Sequence, residues 1–215
     1  MENKKLKIEV LLFMYRHLGM VTKTTSKKWN GIQAEIVLPS TANATVYGYI
    51  DWYLGLGEAA IESGISKKTG EGYQVFLGGV GLTYKSKAIS LKDGQRVRLK
   101  LYQYAKNGVR YVDILVNDVV QHTSQFTSAT NSAVGETDVV KMVHGVEDQG
   151  HCNYTQASFS NVQLRTGDGS TYTPWTSNVG FSFAKKELNG SDPGMLDTIT
   201  VHSQLPLSTS LKAAR

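Results

Sequence analysis

Gln95 to Tyr104 reads QRVRLKLYQY, and its alternation decides the fold class. Val97, Leu99 and Leu101 point one way. Arg96, Arg98, Lys100 and Tyr102 point the other, the period of two that marks a half-buried strand. Asn107-Gly108 follows, a pair suited to a two-residue hairpin because both positions tolerate positive φ. The chain returns through Val109 to Val116, and Asn117-Asp118 turns it again into Val119 to His122. Three consecutive antiparallel strands are predicted here.

The same signals extend in both directions. In WNGIQAEIVL, Ile32, Ala34, Ile36 and Leu38 share a face, and Pro39 ends the strand. Thr45 to Leu54 is an aromatic-rich strand broken by Gly55-Leu56-Gly57. Glu58 to Ser66 and Tyr73 to Leu77 follow, and Gly81 to Lys85 offers a short further one. Thr123 to Thr137 reads as a polar loop. Val139 to His144, Ala157 to Leu164, Val179 to Ala184 and Leu196 to Ser203 read as strands. Ten or more short strands with few helices predict an all-β fold, an antiparallel β-sandwich of the jelly-roll type. The sandwich is assigned to residues 29–203, with a frayed tail over 204–215. Residues 1–28 read as a basic N-terminal extension. Leu6, Val10, Met14 and Leu18 recur there at helical spacing, and TKTTSKK (22–28) reads as a linker.

Charge supports that division. The chain has 215 residues and a formal charge of +5. Residues 1–30 hold seven basic and two acidic side chains, so the remaining body is neutral. A nucleic-acid-binding body would carry its basic excess on a folded face, and none is expected. Hydrophobic residues make up 40% and charged residues 19%, which is ordinary globular chemistry. The single cysteine, Cys152, excludes a disulfide framework. No apolar run approaches the roughly 20 residues that a membrane helix needs, and no signal peptide is legible. No cofactor motif is present. Gly78-Gly79-Val80-Gly81 lacks the lysine of a phosphate-binding loop, and no nucleophile elbow occurs.

The order of segments resembles the concanavalin A-like lectin/glucanase jelly rolls, and within them the glutamic peptidases (eqolisins). Glu35-Ile-Val-Leu-Pro39, Tyr49-Ile-Asp-Trp52 and Ile61-Glu-Ser-Gly-Ile65 stand where that family has a strand ending in Val-Pro, an aromatic Gly-Ile-Asp strand and an apolar-Gln-Thr-Gly-apolar strand. The resemblance implies a sandwich fold and an extracellular or cell-surface setting. The activity does not carry over residue by residue. The family's catalytic Gln falls on Glu62. Its catalytic Glu, in an Ala-Glu-Trp-Ile-Val-Glu-Asp pattern, falls on Val143 of MVHGVED (142–148).

Strand parity narrows the candidate chemistry. Tyr47, Tyr49, Asp51 and Tyr53 share one face of their strand, and Ile50, Trp52 and Leu54 share the other. On the next strand Glu58, Ala60, Glu62 and Gly64 oppose Ala59, Ile61, Ser63 and Ile65. Tyrosines with acids on one face suit a sugar, since rings stack on aromatic planes and carboxylates accept hydroxyl bonds. The predicted binding set is Tyr47, Tyr49, Asp51, Tyr53, Glu58 and Glu62, with a glycan or polysaccharide as partner and no catalysis. Tyr73, Tyr102 and Tyr104 supply further rings. As an alternative the same face is a hydrolase site, with Glu62 as acid or base and Glu147 its partner. Glu58 and Glu62 lie roughly 13 Å apart on one strand, too far for a glycosidase pair. A third alternative is a structural or surface assembly protein; the oligomeric state is not legible. His144, Asp148, His151 and Cys152 match no common zinc spacing, so no metal is assigned. Arg96, Arg98 and Lys100 read as a solvated outer stripe.

Overall fold

The computed structural model describes residues 16–45, 48–58, 60–148, 151–167, 171–187 and 198–213. Its strands are β1 (Arg16–Thr24), β2 (Trp29–Val37), β3 (Ala42–Asn43), β4 (Tyr49–Leu56), β5 (Ile61–Lys68), β6 (Gly72–Gly79), β7 (Lys85–Ala88), β8 (Arg96–Lys106), β9 (Val109–Val116) and β10 (Val119–Gln125). The helix α1 (Ser128–Ala133) follows. Then come β11 (Val140–Asp148), β12 (Asn153–Thr166), β13 (Tyr172–Pro174), β14 (Phe181–Glu187), β15 (Ile199–Gln204) and β16 (Leu207–Leu211).

The strands form two antiparallel sheets. The front sheet has seven strands in the order β14-β1-β11-β4-β5-β6-β7. The back sheet has nine, seven of them in the order β10-β9-β8-β2-β12-β16-β15, with β3 and β13 paired to β12. The fold is an all-β sandwich, and its core is what alternation dictates. Ile50, Trp52, Leu54, Ile61 and Ile65 of the front sheet are fully buried, as are Ile32, Ile36, Val97, Leu99, Leu101 and Ile114 of the back sheet. Both hairpin turns of the meander have positive φ at their two central residues: 53° and 75° at Asn107 and Gly108, 50° and 64° at Asn117 and Asp118. That geometry matches the right-handed twist of the flanking strands.

Three expected boundaries move. Residues 16–24, expected within a detached extension and linker, form β1 between β11 and β14. Leu18 and Met20 are fully buried there, because the alternation from Leu18 through Thr22 follows period two and not helical spacing. The residues carrying the rest of the helical pattern, 1–15, lie outside the described residues. The expected tail contains β16, which pairs with both β12 and β15 and buries Leu207 and Leu211. The expected loop 123–137 holds the end of β10 and the helix α1, capped reciprocally by Thr127 and Thr130.

Candidate functional site

Side chains on the outer face of the front sheet stand in rows fixed by strand register. One row runs Lys141, Gly55, Glu62, Gly78 across β11, β4, β5 and β6. The next runs Val21, Val143, Tyr53, Gly64, Phe76. The third runs Gly19, Gly145, Asp51, Ser66, Gln74, and the fourth holds Glu147, Tyr49 and Lys68. Tyr49, Asp51, Tyr53 and Glu62 of the predicted set thus share this face. Glu58 stands in the turn before β5, where Lys23 Nζ binds its carboxylate at 2.5 Å and holds the Glu58 pKa below its ordinary value. Tyr47 lies outside the described residues.

Gly55 shapes the first row. With no Cβ there, the Lys141 stem crosses β4, and an added methyl group would run into its Cε and Cγ. Lys141 Nζ reaches Glu62 Oε1 at 2.6 Å and the Glu58 carbonyl at 3.2 Å. The lysine side chain is 5% exposed and the glutamate 34%. Tyr53 Oη donates to the same Glu62 oxygen at 3.2 Å. Glu62 therefore sits in a fixed pair with a buried ammonium and a phenol.

Asp51 lies on the floor between the two tyrosines of its strand. Burial is the main force on its carboxyl, and Glu62 and Glu147 add to it, pushing its pKa up to about 8 against a bond from Ser66. Asp51 is hence protonated near neutral pH. Tyr49 Oη donates to Glu147 Oε2 at 2.5 Å, and burial followed by that bond pushes the phenol pKa far up.

An aromatic row borders these acids. Tyr53 packs edge-on against Phe76 with centroids 5.8 Å apart, and Tyr84 stacks on Phe76 at 6.3 Å and 21°. The Tyr84 ring rests over Gly78, where a Cβ would lie 3.0 Å from Cδ2. It is 59% exposed, an aromatic surface open to solvent at the edge of the acids. Phe76, Tyr84 and Lys141 were not singled out from sequence. Lys141 shares the parity of Glu147 on its strand, which was a legible signal. Tyr84 precedes β7, outside the strand alternation, so its face was not legible from period two.

The hydrolase pair expected from sequence does not assemble. Glu147 pairs with Tyr49, which pairs with Lys68, and Lys68 is six residues from Glu62 on β5. That separation is about 20 Å along the strands, with two strand spacings to add. Acid/base pairs in glycosidases lie within about 10 Å. Val143, which the sequence resemblance sets against the family's catalytic Glu, is fully buried against Tyr53 and Phe76.

The other sequence candidates fall elsewhere. Tyr73 is a core residue beside Trp52. Tyr102 and Tyr104 stand on the back sheet's outer face, where Tyr104 stacks with Tyr111. Arg96 pairs with Glu35, and Arg98 and Lys100 pair with Asp118, a solvated stripe of ion pairs. His144 is buried in the core, with Nδ1 at 2.7 Å from Thr209 Oγ1. Among the described residues no group of three potential ligands comes together, and no helix is long and apolar enough to cross a membrane.

Solved structures share this architecture. Scytalido-glutamic peptidase bound to a transition state analog inhibitor superposes with a TM-score of 0.59 at 11% identity, covering 93% of this chain and 98% of that one. SCP-B, an eqolisin-family peptidase in complex with the tripeptide Ala-Ile-His, gives a TM-score of 0.55 at 10% identity with the same coverage of 93% and 98%. The chain has the jelly-roll fold of the glutamic peptidases. At these identities the likeness is one of fold. No protein-family model matches the sequence, and no curated protein is significantly similar to it.

Proposed function

We propose that the outer face of the front sheet binds an extended glycan without cleaving it. The observation that carries this reading is the exposed Tyr84 ring lying over Gly78, continued inward by Phe76 and Tyr53 and bordered by Glu62 and Asp51. A pyranose ring stacks on such an aromatic plane, and its hydroxyls bond to the flanking carboxyl groups. Binding without cleavage is supported by the engagement of Glu62 with Lys141 and by the valine at position 143. An array of neutral and acidic polysaccharides should give saturable binding, weakened roughly tenfold or more by Tyr84→Ala. Failure of every glycan to bind the intact chain defeats the reading.

A hydrolase reading has one specific support. Asp51 is a carboxyl kept protonated near neutral pH, and Glu147 lies one strand and one row away on the same face. Such a pair can supply an acid and a base. Turnover on a polysaccharide or protein panel, lost on Asp51→Asn but retained by Tyr84→Ala, would establish it in place of simple binding.

A further inference from the structure

At one end of the sandwich the inward face of the back sheet changes character on adjacent strands. Ile32, Leu101 and Ile114 form one paired row and are fully buried. Two residues further along the same faces stand Asn30 on β2 and Gln103 on β8, and beyond them Ala105 pairs with Arg110. The apolar alternation thus ends in an amide, a second amide and a guanidinium. These residues, with Tyr104, Glu136 and Gly167, line a cavity of about 170 Å³.

The amide donor of Gln103 and the terminal nitrogens of Arg110 are spent on the cavity's walls. Gln103 Nε2 donates to the carbonyls of Gly135 at 2.9 Å and Glu136 at 3.1 Å. Arg110 Nη1 donates to the Val134 carbonyl at 2.9 Å and to Asn131 Oδ1 at 3.1 Å. Arg110 Nη2 donates to Gln103 Oε1 and to the Gly135 carbonyl. Both terminal guanidinium nitrogens therefore hold the loop that roofs the cavity. The acceptors are less fully used. Asn30 is 6% exposed and its Nδ2 donates to the Gly167 carbonyl at 3.2 Å. No donor among the described residues reaches its Oδ1. A buried acceptor left that way bears its full desolvation cost, so the position favours an incoming donor. Glu136 lines the same space, and its negative charge acts on Arg110 beside it.

We propose that this cavity is a second binding site, separate from the front sheet, which takes one ring of a neutral sugar through hydroxyls donated to Asn30 Oδ1 and to the Glu136 carboxylate. An anion would meet two acceptors and terminal guanidinium nitrogens that are already engaged. A cation would meet the charge of Arg110. A neutral polyol supplies the missing donors without either conflict, and the volume admits a single pyranose in place of about five waters.

The test is a titration of the intact chain with glucose, galactose, mannose and N-acetylglucosamine, followed through the backbone amide resonances of Gln103, Ala105, Glu136 and Gly167. At least one sugar should shift these amides saturably. Glu136→Ala, a change on an exposed loop, should weaken that binding roughly tenfold, and Asn30→Leu should remove it. The Tyr84→Ala variant should titrate as the parent does, which separates this site from the front-sheet face. The proposal is overturned if all four sugars leave these amides unmoved. It is equally overturned if inorganic phosphate or methylammonium moves them more than any sugar, or if Tyr84→Ala abolishes the response.

Discussion

Lys141 reaches Glu62 only because Gly55 lies between them, and the pair's two halves are unequally buried. Glu62→Gln leaves a nearly buried ammonium without its carboxylate and should destabilise the chain by about 2 kcal/mol. Lys141→Met keeps the apolar stem over Gly55 and frees a glutamate that water can reach, so it should cost under about 1 kcal/mol. Urea denaturation of both variants checks the order. Two other residues set the pH dependence. Asp51 has a folded pKa of about 8 against an ordinary 3.8, so its contribution is complete below the ordinary value and is lost as pH rises through the folded one. His144, desolvated in the core, is held at about 3 against 6.5, so its contribution is present above the ordinary value and is lost as pH falls toward the folded one. Stability should therefore be level between about pH 4 and 6.5, where the two opposite slopes cancel, and fall on either side, each group contributing at most about 1.4 kcal/mol per pH unit. Asp51→Asn should flatten the alkaline fall and His144→Gln the acid one, as read from midpoints across a pH series. The shared face of Tyr49, Asp51 and Tyr53 was legible because a strand has a period of two. The Lys141–Glu62 pair was not, because it depends on the register of three strands and on a glycine gap.

At the scale of elements, β4 and β5 are held so closely that their glycines are not interchangeable. A Cβ at Gly64 would lie 2.5 Å from Tyr53 Cα and would also collide with the Trp52 carbonyl, all of it backbone that cannot swing away. A Cβ at Gly55 meets chiefly the flexible end of Lys141. Gly64→Ala should thus cost on the order of 3 kcal/mol, and Gly55→Ala distinctly less while releasing Lys141 from Glu62. Thermal melts of the two variants separate these cases. The meander β8–β9–β10 was readable from its alternation and its two turns alone. β1 was misassigned because the basic residues around it resemble a tail, whereas its burial comes from pairing with β11 more than a hundred residues away. β16 was missed for the same reason, since a short polar strand at the chain end is held by long-range partners. Removing residues 1–28 would take β1 out of the front sheet. With β1 lying between β11 and β14, that truncation should abolish cooperative unfolding, which calorimetry reports directly.

At the scale of the whole molecule, the basic stretch at the start of the sequence is in part structural, because Lys23 belongs to the front sheet and pairs with Glu58, while Lys4, Lys5 and Lys7 lie outside the described residues. The two faces of the sandwich divide their chemistry. On the back sheet's outer face Arg96 is paired with Glu35, and Arg98 and Lys100 with Asp118. The front sheet's outer face gathers tyrosines and acids and leaves the Tyr84 ring open to solvent. On a fold shared with the glutamic peptidases, the two positions that the sequence resemblance matches to catalytic residues hold Glu62 with its lysine and a buried Val143. The most direct measurement is equilibrium binding of a polysaccharide panel to the intact chain and to Tyr84→Ala, with the bound glycans recovered and sized. A binding face requires saturable binding of at least one glycan, its loss on removing the ring, and recovery of the glycan at full length. Absence of binding, binding indifferent to Tyr84, or recovery of shortened chains would contradict it.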